Sequence, residues 1–503
     1  MAGHSVRPVT TLQRRVLVVA VLGSFVSFLD GTVVSVALPA IADELAGPGM
    51  EALPLQQWVV DAYLITLGAL MLVAGSISDV YGRRRVLAAG LVGFALASIL
   101  CAVAPTGPFL VLARALQGVA GALLVPSSLA LIIATFSGEA QSRAIGRWTA
   151  LTTGAMIVGP FVGGMLVDFA SWRWVFWINV PVIAVTLWLL RGVPAAEGEP
   201  GRRIDIPGAV LAALGLAGVV FGLIEGERLG WTSALILTSV IGGAVMLVAF
   251  VLYQRRAADP MLPLEVFAEP RFSSINAVTF VVYGALTGAL FLLPIALQIG
   301  AGYSPLASGL ATLPITVIML VGSAPSGALA TRIGPKLQLT VGPVLVGLGL
   351  FMLRDAGGGS YVTSVLPALV VHGIGLALTV APLTAVALDA APPEHAGVAS
   401  AVNNDVARAA GLIAVAVLPG IVGLDATSFT TGEGLADGFR LAMDLSALGC
   451  AAGGLLAALT IRNRRLPVEP EVPAFHCAVE GPPPCVTPPD DELLVEPSGR
   501  RIR

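Results

Sequence analysis

The chain has 503 residues, 56% of them hydrophobic and 12% charged, with a formal net charge of −3 and a mean hydropathy of +0.89. An ordinary soluble domain carries about 25% charge, so this composition excludes one and places the chain in a membrane. The small net charge says little about partners, none of which is expected to be nucleic acid; Cys101, Cys450, Cys477 and Cys485 are scattered without a disulfide or metal spacing.

The first apolar run, Val16–Ile41, holds one charge, Asp30. As a helix it reaches about 39 Å, enough to cross a hydrocarbon layer of roughly 30 Å with some tilt. It is far longer than the apolar region of a cleaved signal peptide, so a retained span is expected. Further runs follow at Gln56–Gly75, Val86–Ala104, Phe109–Ala134, Ile145–Val167 and Trp174–Leu190. Pro207–Leu223 and Trp231–Leu252 come next. Phe272–Ile299, Leu306–Leu329, Leu337–Leu353, Val362–Leu388, Val398–Val422 and Leu441–Ile461 complete fourteen expected transmembrane helices. The predicted class is an all-α integral membrane protein.

Charge placement supports that count. With the N-terminus in the cytoplasm, 22 Lys and Arg residues fall on the inner side and four on the outer; Arg114 and Arg408 lie inside spans. Adding or dropping a span would scramble this positive-inside asymmetry, so both termini are expected in the cytoplasm of a multi-pass inner-membrane protein. The chain also repeats itself. Gly75, Gly82 and Arg84 recur as Gly327, Gly334 and Lys336, each 252 residues later. The expected organisation is therefore a short cytoplasmic N-terminus (1–15), a six-helix bundle (16–191) and a linker carrying the two extra helices (192–271). A second six-helix bundle (272–461) and a disordered Pro- and Glu-rich tail (462–503) follow. His476 with Cys477 and Cys485 is too sparse for a metal site.

A carboxylate in hydrocarbon costs several kcal/mol unless paired, hydrated or protonated, so intramembrane acids are candidate functional groups. Asp30, about 22 Å beyond Arg15 along the first helix, is the leading one. Arg114 shares a helix face with Gln117, Gly118 and Gly121 and needs a partner, for which Asp30 and Asp61 are the candidates. Desolvation and a nearby guanidinium act oppositely on Asp30, so a conformational change that alters both would load or release a proton. A purely structural ion pair is the alternative. Asp405 and Arg408, at i and i+3, either neutralise each other or offer a second proton site, and Asp61 is either a further acid or an interfacial residue. Gly75 and Gly82 are expected to let two helices turn back, with Asp79 pairing with Arg84 or capping a neighbouring helix. Gly154, Gly159, Gly163 and Gly164, with Pro160, strip one helix face for close packing or bending.

These motifs resemble those of the major facilitator superfamily. Gly75–Arg85, with Asp79, Gly82 and Arg83–Arg85, looks like its loop signature; Val80 stands where a basic residue is common, and Thr331 replaces the acid in the second copy. Leu29-Asp30-Gly-Thr32 through Pro39, Trp58-Val-Val-Asp61-Ala-Tyr63, Arg114-Ala-Leu-Gln117-Gly118, Gly154–Gly164 and Gly397–Asn404 resemble its fourteen-span drug:proton antiporter branch. The resemblance covers Val16 to Ile461. It implies two six-helix bundles plus two central helices, a conformational latch at the Gly–Asp–Gly loop, and export of small lipophilic or cationic compounds driven by the proton gradient, with no other cofactor.

On that reading Asp30 couples protons, Arg114 tunes it, and Asp61 and Asp405 are secondary acids. Gln117, Gln298, Tyr283, Asn403 and Asn404 are candidates for the substrate cavity, though a packing role suits Tyr283 better. The protein is expected to be a monomer in the bilayer. Export of one metabolite or antibiotic is the alternative, and a non-transporting sensor a weaker one. An enzyme is disfavoured: His372 is the one histidine inside a span and has no catalytic cluster in sequence, and no P-loop pattern for an ATP-driven pump is present.

Overall fold

A computed structural model describes residues 10–47, 50–194, 204–356, 360–390, 396–424 and 434–463. The expectation of a disordered tail falls on 464–503, outside the described residues. Helices α1 (Thr11–Leu45), α2 (Ala52–Tyr81), α3 (Arg83–Ala102), α4 (Gly107–Ala122), α5 (Leu124–Thr135), α6 (Gly138–Phe169), α7 (Trp174–Trp177) and α8 (Asn179–Leu190) form the first half. Then come α9 (Ile206–Leu229) and α10 (Ala234–Gln254). The second half comprises α11 (Pro270–Ile295), α12 (Pro305–Ala311), α13 (Leu313–Ile333), α14 (Pro335–Leu353), α15 (Leu366–Asp389), α16 (Ala396–Ile421) and α17 (Leu435–Thr460).

Each of the fourteen apolar runs falls on a helix or a helix pair. By length and composition eleven described helices can cross a membrane, or twelve with the bent α2 as one span. The chain is thus a multi-pass membrane protein; α6 and the α7–α8 pair are the two regions outside that count. Several runs are interrupted: Leu123 separates α4 from α5, and Thr312 separates α12 from α13. Helix α1 starts earlier than its apolar run because Thr10 caps it, accepting from the Gln13 amide while Gln13 bonds back to Thr10.

The internal repeat reappears in the packing. In the first half α1 lies on α6 and α8, α2 on α4, and α3 on α4 and α8; in the second, α11 lies on α16 and α17, α13 on α15, and α14 on α15 and α17. Its loops turn on equivalent glycines. Gly82 and Gly334 precede α3 and α14 with φ of 89° and 83°, a conformation that disfavours any side chain. Gly75, expected to help turn the chain back, does not do so. It lies inside α2, which runs six residues further, so Gly82 alone makes that turn.

The largest apolar cluster joins the halves at the end where α1 finishes, hereafter the far end: Leu38 and Ile41 of α1 and Leu55 of α2 meet Leu292 and Ile295 of α11 and Phe439 of α17. At the opposite, near end the clusters each belong to one half. The described halves are therefore fastened at the far end.

The extra helices attach asymmetrically. Gly215, Gly218 and Gly222 of α9 sit where a side chain would strike Leu247, Ser239 or Val240, so α10 packs closely on that face. The rest of α10, including Leu235, Ile241 and Val245, is exposed apolar surface suited to lipid. Helix α9 touches both α2 and α16, one helix from each half.

Candidate functional site

The densest polar assembly lies between α1, α3, α4 and α8. Asp30 is fully buried, and its Oδ2 receives Arg114 Nη1 at 2.5 Å. Its Oδ1 accepts from Gln117 Nε2 at 2.9 Å and from Asn179 Nδ2 at 3.1 Å. Arg114 is itself buried; its Nε donates to the Val59 carbonyl at 2.9 Å and its Nη1 to Gln117 Oε1 at 2.6 Å. Ser98 accepts from both Gln117 and Asn179. The Tyr63 ring lies 4.4 Å from the guanidinium carbon, and the Tyr63 hydroxyl and Ser27 share a 2.9 Å hydrogen bond. All groups on the Asp30 oxygens are donors.

Of the two partners considered for Arg114, the structure places Asp30 beside it. Gln117, expected to line a substrate cavity, is instead spent on Asp30, Arg114 and Ser98. Asn179, Ser98 and Tyr63 belong to the site although sequence reasoning does not single them out for it. Asn179 is detectable as a lone amide in an apolar run, whereas nothing distinguishes Ser98 from any other small helical residue.

Asp61 lies elsewhere. Four residues earlier, Gln57 Nε2 donates to the Val415 and Ala416 carbonyls of α16 at 2.8 and 3.2 Å. Three residues earlier, Trp58 Nε1 donates to Glu225 of α9 at 3.0 Å. Four residues later, Ile65 packs with Val220, Ile224, Leu412 and Ala416. Helical spacing puts Asp61 on that same face, towards α9 and α16 and away from Arg114. It is fully buried, and neither carboxyl oxygen has a hydrogen-bond partner among the described residues. Neither carboxyl oxygen of Asp405 on α16 has a hydrogen-bond partner among the described residues, while the Arg408 charge one turn along acts on it electrostatically.

The other cavity candidates scatter. Asn403 is buried and donates to Asn276 Oδ1 at 3.0 Å and Thr279 Oγ1 at 2.8 Å, tying α16 to α11. Asn404 is exposed. Tyr283 packs on the Ile275–Val282 cluster, a core position. Gln298 bridges the halves at the far end, donating to the Val36 carbonyl at 3.0 Å.

The glycine stripe of α6 divides its work. A side chain at Gly159 would strike Thr32, and one at Gly163 would press on Val33, both on α1 close to Asp30. Gly164 faces Pro305 and Leu306, and Pro160 faces Gly309, all on α12 of the other half. Gly154 has open space where close packing was expected. One turn past Gly164, Asp168 Oδ2 accepts from Ser304 Oγ at 2.8 Å and from the Leu306 amide at 3.0 Å. At the near end Arg83 reaches Asp79 at 3.8 Å.

A model of the Major Facilitator Superfamily matches residues 20–215 and 206–416. The chain is 37% identical over 417 residues to the puromycin resistance protein pur8 of Streptomyces alboniger, covering 80% of each. It is 36% identical over 408 residues to the multidrug resistance protein Stp of Mycobacterium tuberculosis, covering 81% of this chain and 75% of that one. Among solved structures, an inward-facing bacterial homologue of the lysosomal transporter Spinster superposes with a TM-score of 0.63 at 15% identity, covering 90% of this chain and 98% of that one. The xylose transporter XylE of E. coli gives 0.58 at 17% identity, covering 87% and 97%.

Proposed function

This chain belongs to the major facilitator superfamily, and is a membrane transporter rather than an enzyme; from that premise we propose that it is a proton-coupled antiporter exporting small lipophilic compounds across the bacterial inner membrane. Its relatives' names as resistance proteins support the outward direction. The far end is then the outer face, both termini are cytoplasmic, α6 and α7–α8 complete fourteen crossings, and the protein acts as a monomer.

The observation that carries the coupling is the buried Asp30–Arg114 pair with its ring of donors. With the far end shut, the carboxylate is held by Arg114, Gln117 and Asn179. Protonation removes the attraction to Arg114 and lets α1 and α4 part. That change has a short route outward: Thr32 and Val33 of α1 press on Gly159 and Gly163 of α6, and Gly164 and Asp168 grip α12 of the second half. Proton load on Asp30 thereby biases closure of the outer face, with Asp61 and Asp405 as further acids.

Export of a fluorescent cationic dye from cells, with and without an imposed pH gradient, tests this reading. Asp30→Asn is expected to abolish gradient-dependent export at normal expression; export equal to wild type would remove Asp30 from coupling. Relatives named for single antibiotics, methylenomycin among them, favour a second reading in which one metabolite is the substrate. A panel of unrelated compounds separates the two.

A further inference from the structure

Between α2, α9 and α16 the far end contains a cavity of about 260 Å³ that the coupling route does not use. Leu53, Leu223, Ile224 and Ile421 give it apolar walls, Trp231 an aromatic one, and Gln57 and Glu227 its polar groups; neither Lys nor Arg lines it. The nearby Arg228 is already committed, with Nη2 at 2.6 Å from Glu225 Oε2, while Trp58 holds the other Glu225 oxygen. Glu227 makes no ion pair among the described residues and stands exposed at the rim. One turn deeper than Gln57, on the same face of α2, lies the unpartnered Asp61 carboxyl.

An apolar chamber with an uncompensated carboxylate at its mouth and an indole on its wall has the chemistry of an organic-cation site. The carboxylate supplies the counter-charge, the indole an aromatic surface with affinity for cations, and the aliphatic walls accept aryl groups. Its volume lies just under the roughly 300–1,000 Å³ of drug-sized pockets, which limits the ligand to about two rings. We propose that this cavity is a binding site for a small lipophilic monocation, built by the inserted helix α9 together with one helix from each half. The proposal rests on the transport reading for its substrate class. It also gives the inserted helices a role in binding. Because α9, α2 and α16 all contribute, the site is complete only while the far ends of both halves stay together.

Binding of radiolabelled 1-methyl-4-phenylpyridinium and of its neutral isostere 4-methylbiphenyl to the full chain in lipid nanodiscs tests the site. Glu227→Gln changes an exposed rim residue; it is expected to weaken cation binding about fivefold and leave the isostere unchanged. Gly420→Leu fills the chamber from its wall, where an added Cβ meets nothing nearer than 3.4 Å, and should weaken both ligands by at least that factor. Cation binding unchanged in both variants overturns the proposal, as does an equal loss of cation and isostere in Glu227→Gln. Asp30→Asn is expected to lose transport yet retain this binding, so failure of the site and failure of the coupling scheme give different results.

Discussion

Arg114 sits 2.5 Å from Asp30 in a space that water does not reach, and each charge is tolerable there because of the other. Removing one partner of a buried pair costs about 3–5 kcal/mol, since it strands the second charge, whereas neutralising both restores much of that loss. Arg114→Ala is therefore expected to lower the melting temperature of the detergent-solubilised protein sharply, and Asp30→Asn/Arg114→Gln to recover part of it, both without gradient-driven export. A double variant melting no higher than Arg114→Ala would show that the pair does not carry this energy. Asn179→Ala removes one of three donors to the carboxylate, an effect of about 1.5–3 kcal/mol by the usual worth of a hydrogen bond to a charged group; its melting temperature should fall by less than that of Arg114→Ala.

Helix α6 meets two different neighbours through residues one position apart. Gly163 lies on Val33 of its own half, and Gly164 on Leu306 of the other. Substitutions should separate accordingly. Gly159→Val is expected to destabilise the first half by forcing α1 away. Gly164→Val and Asp168→Asn should instead loosen the far-end closure, raising the labelling of Gln298→Cys by a membrane-impermeant maleimide added outside. Unchanged labelling in both would remove the α6–α12 contact from the gate. The α6 stripe is legible as a run of Gly around Pro160, because missing side chains are a direct property of sequence. Its partners are not, since they sit on α1 and on α12, well over a hundred positions from it. The same limit applies to Asp61: its acidity in an apolar run is visible, but the face it occupies follows from where Gln57 and Trp58 find their partners on α16 and α9.

At the scale of the molecule, hydropathy identifies the apolar helices, and the 252-residue offset identifies the halves that pack alike. These are one-dimensional signals with strong physical causes, the cost of charge in lipid and the cost of bare backbone. Helix interruptions at Leu123 and Thr312 each have one in the proline that follows, Pro126 and Pro314, whereas the fastening of the halves at one end lacks any. The topology makes its own prediction: alkaline phosphatase fused after Gly230 should be active outside the membrane, and the same enzyme fused after Arg256 inactive. Activity in the reverse pattern would invert the orientation or drop a span.

On the proposed mechanism Asp30 exchanges a proton for transported compound. Purified protein in proteoliposomes, given a pH gradient and a dye substrate, measures this directly. Wild type should concentrate dye against its gradient with matched proton movement, and Asp30→Asn should at most let dye equilibrate, with no proton flux. Uphill dye transport by Asp30→Asn at the wild-type proton ratio would contradict the account.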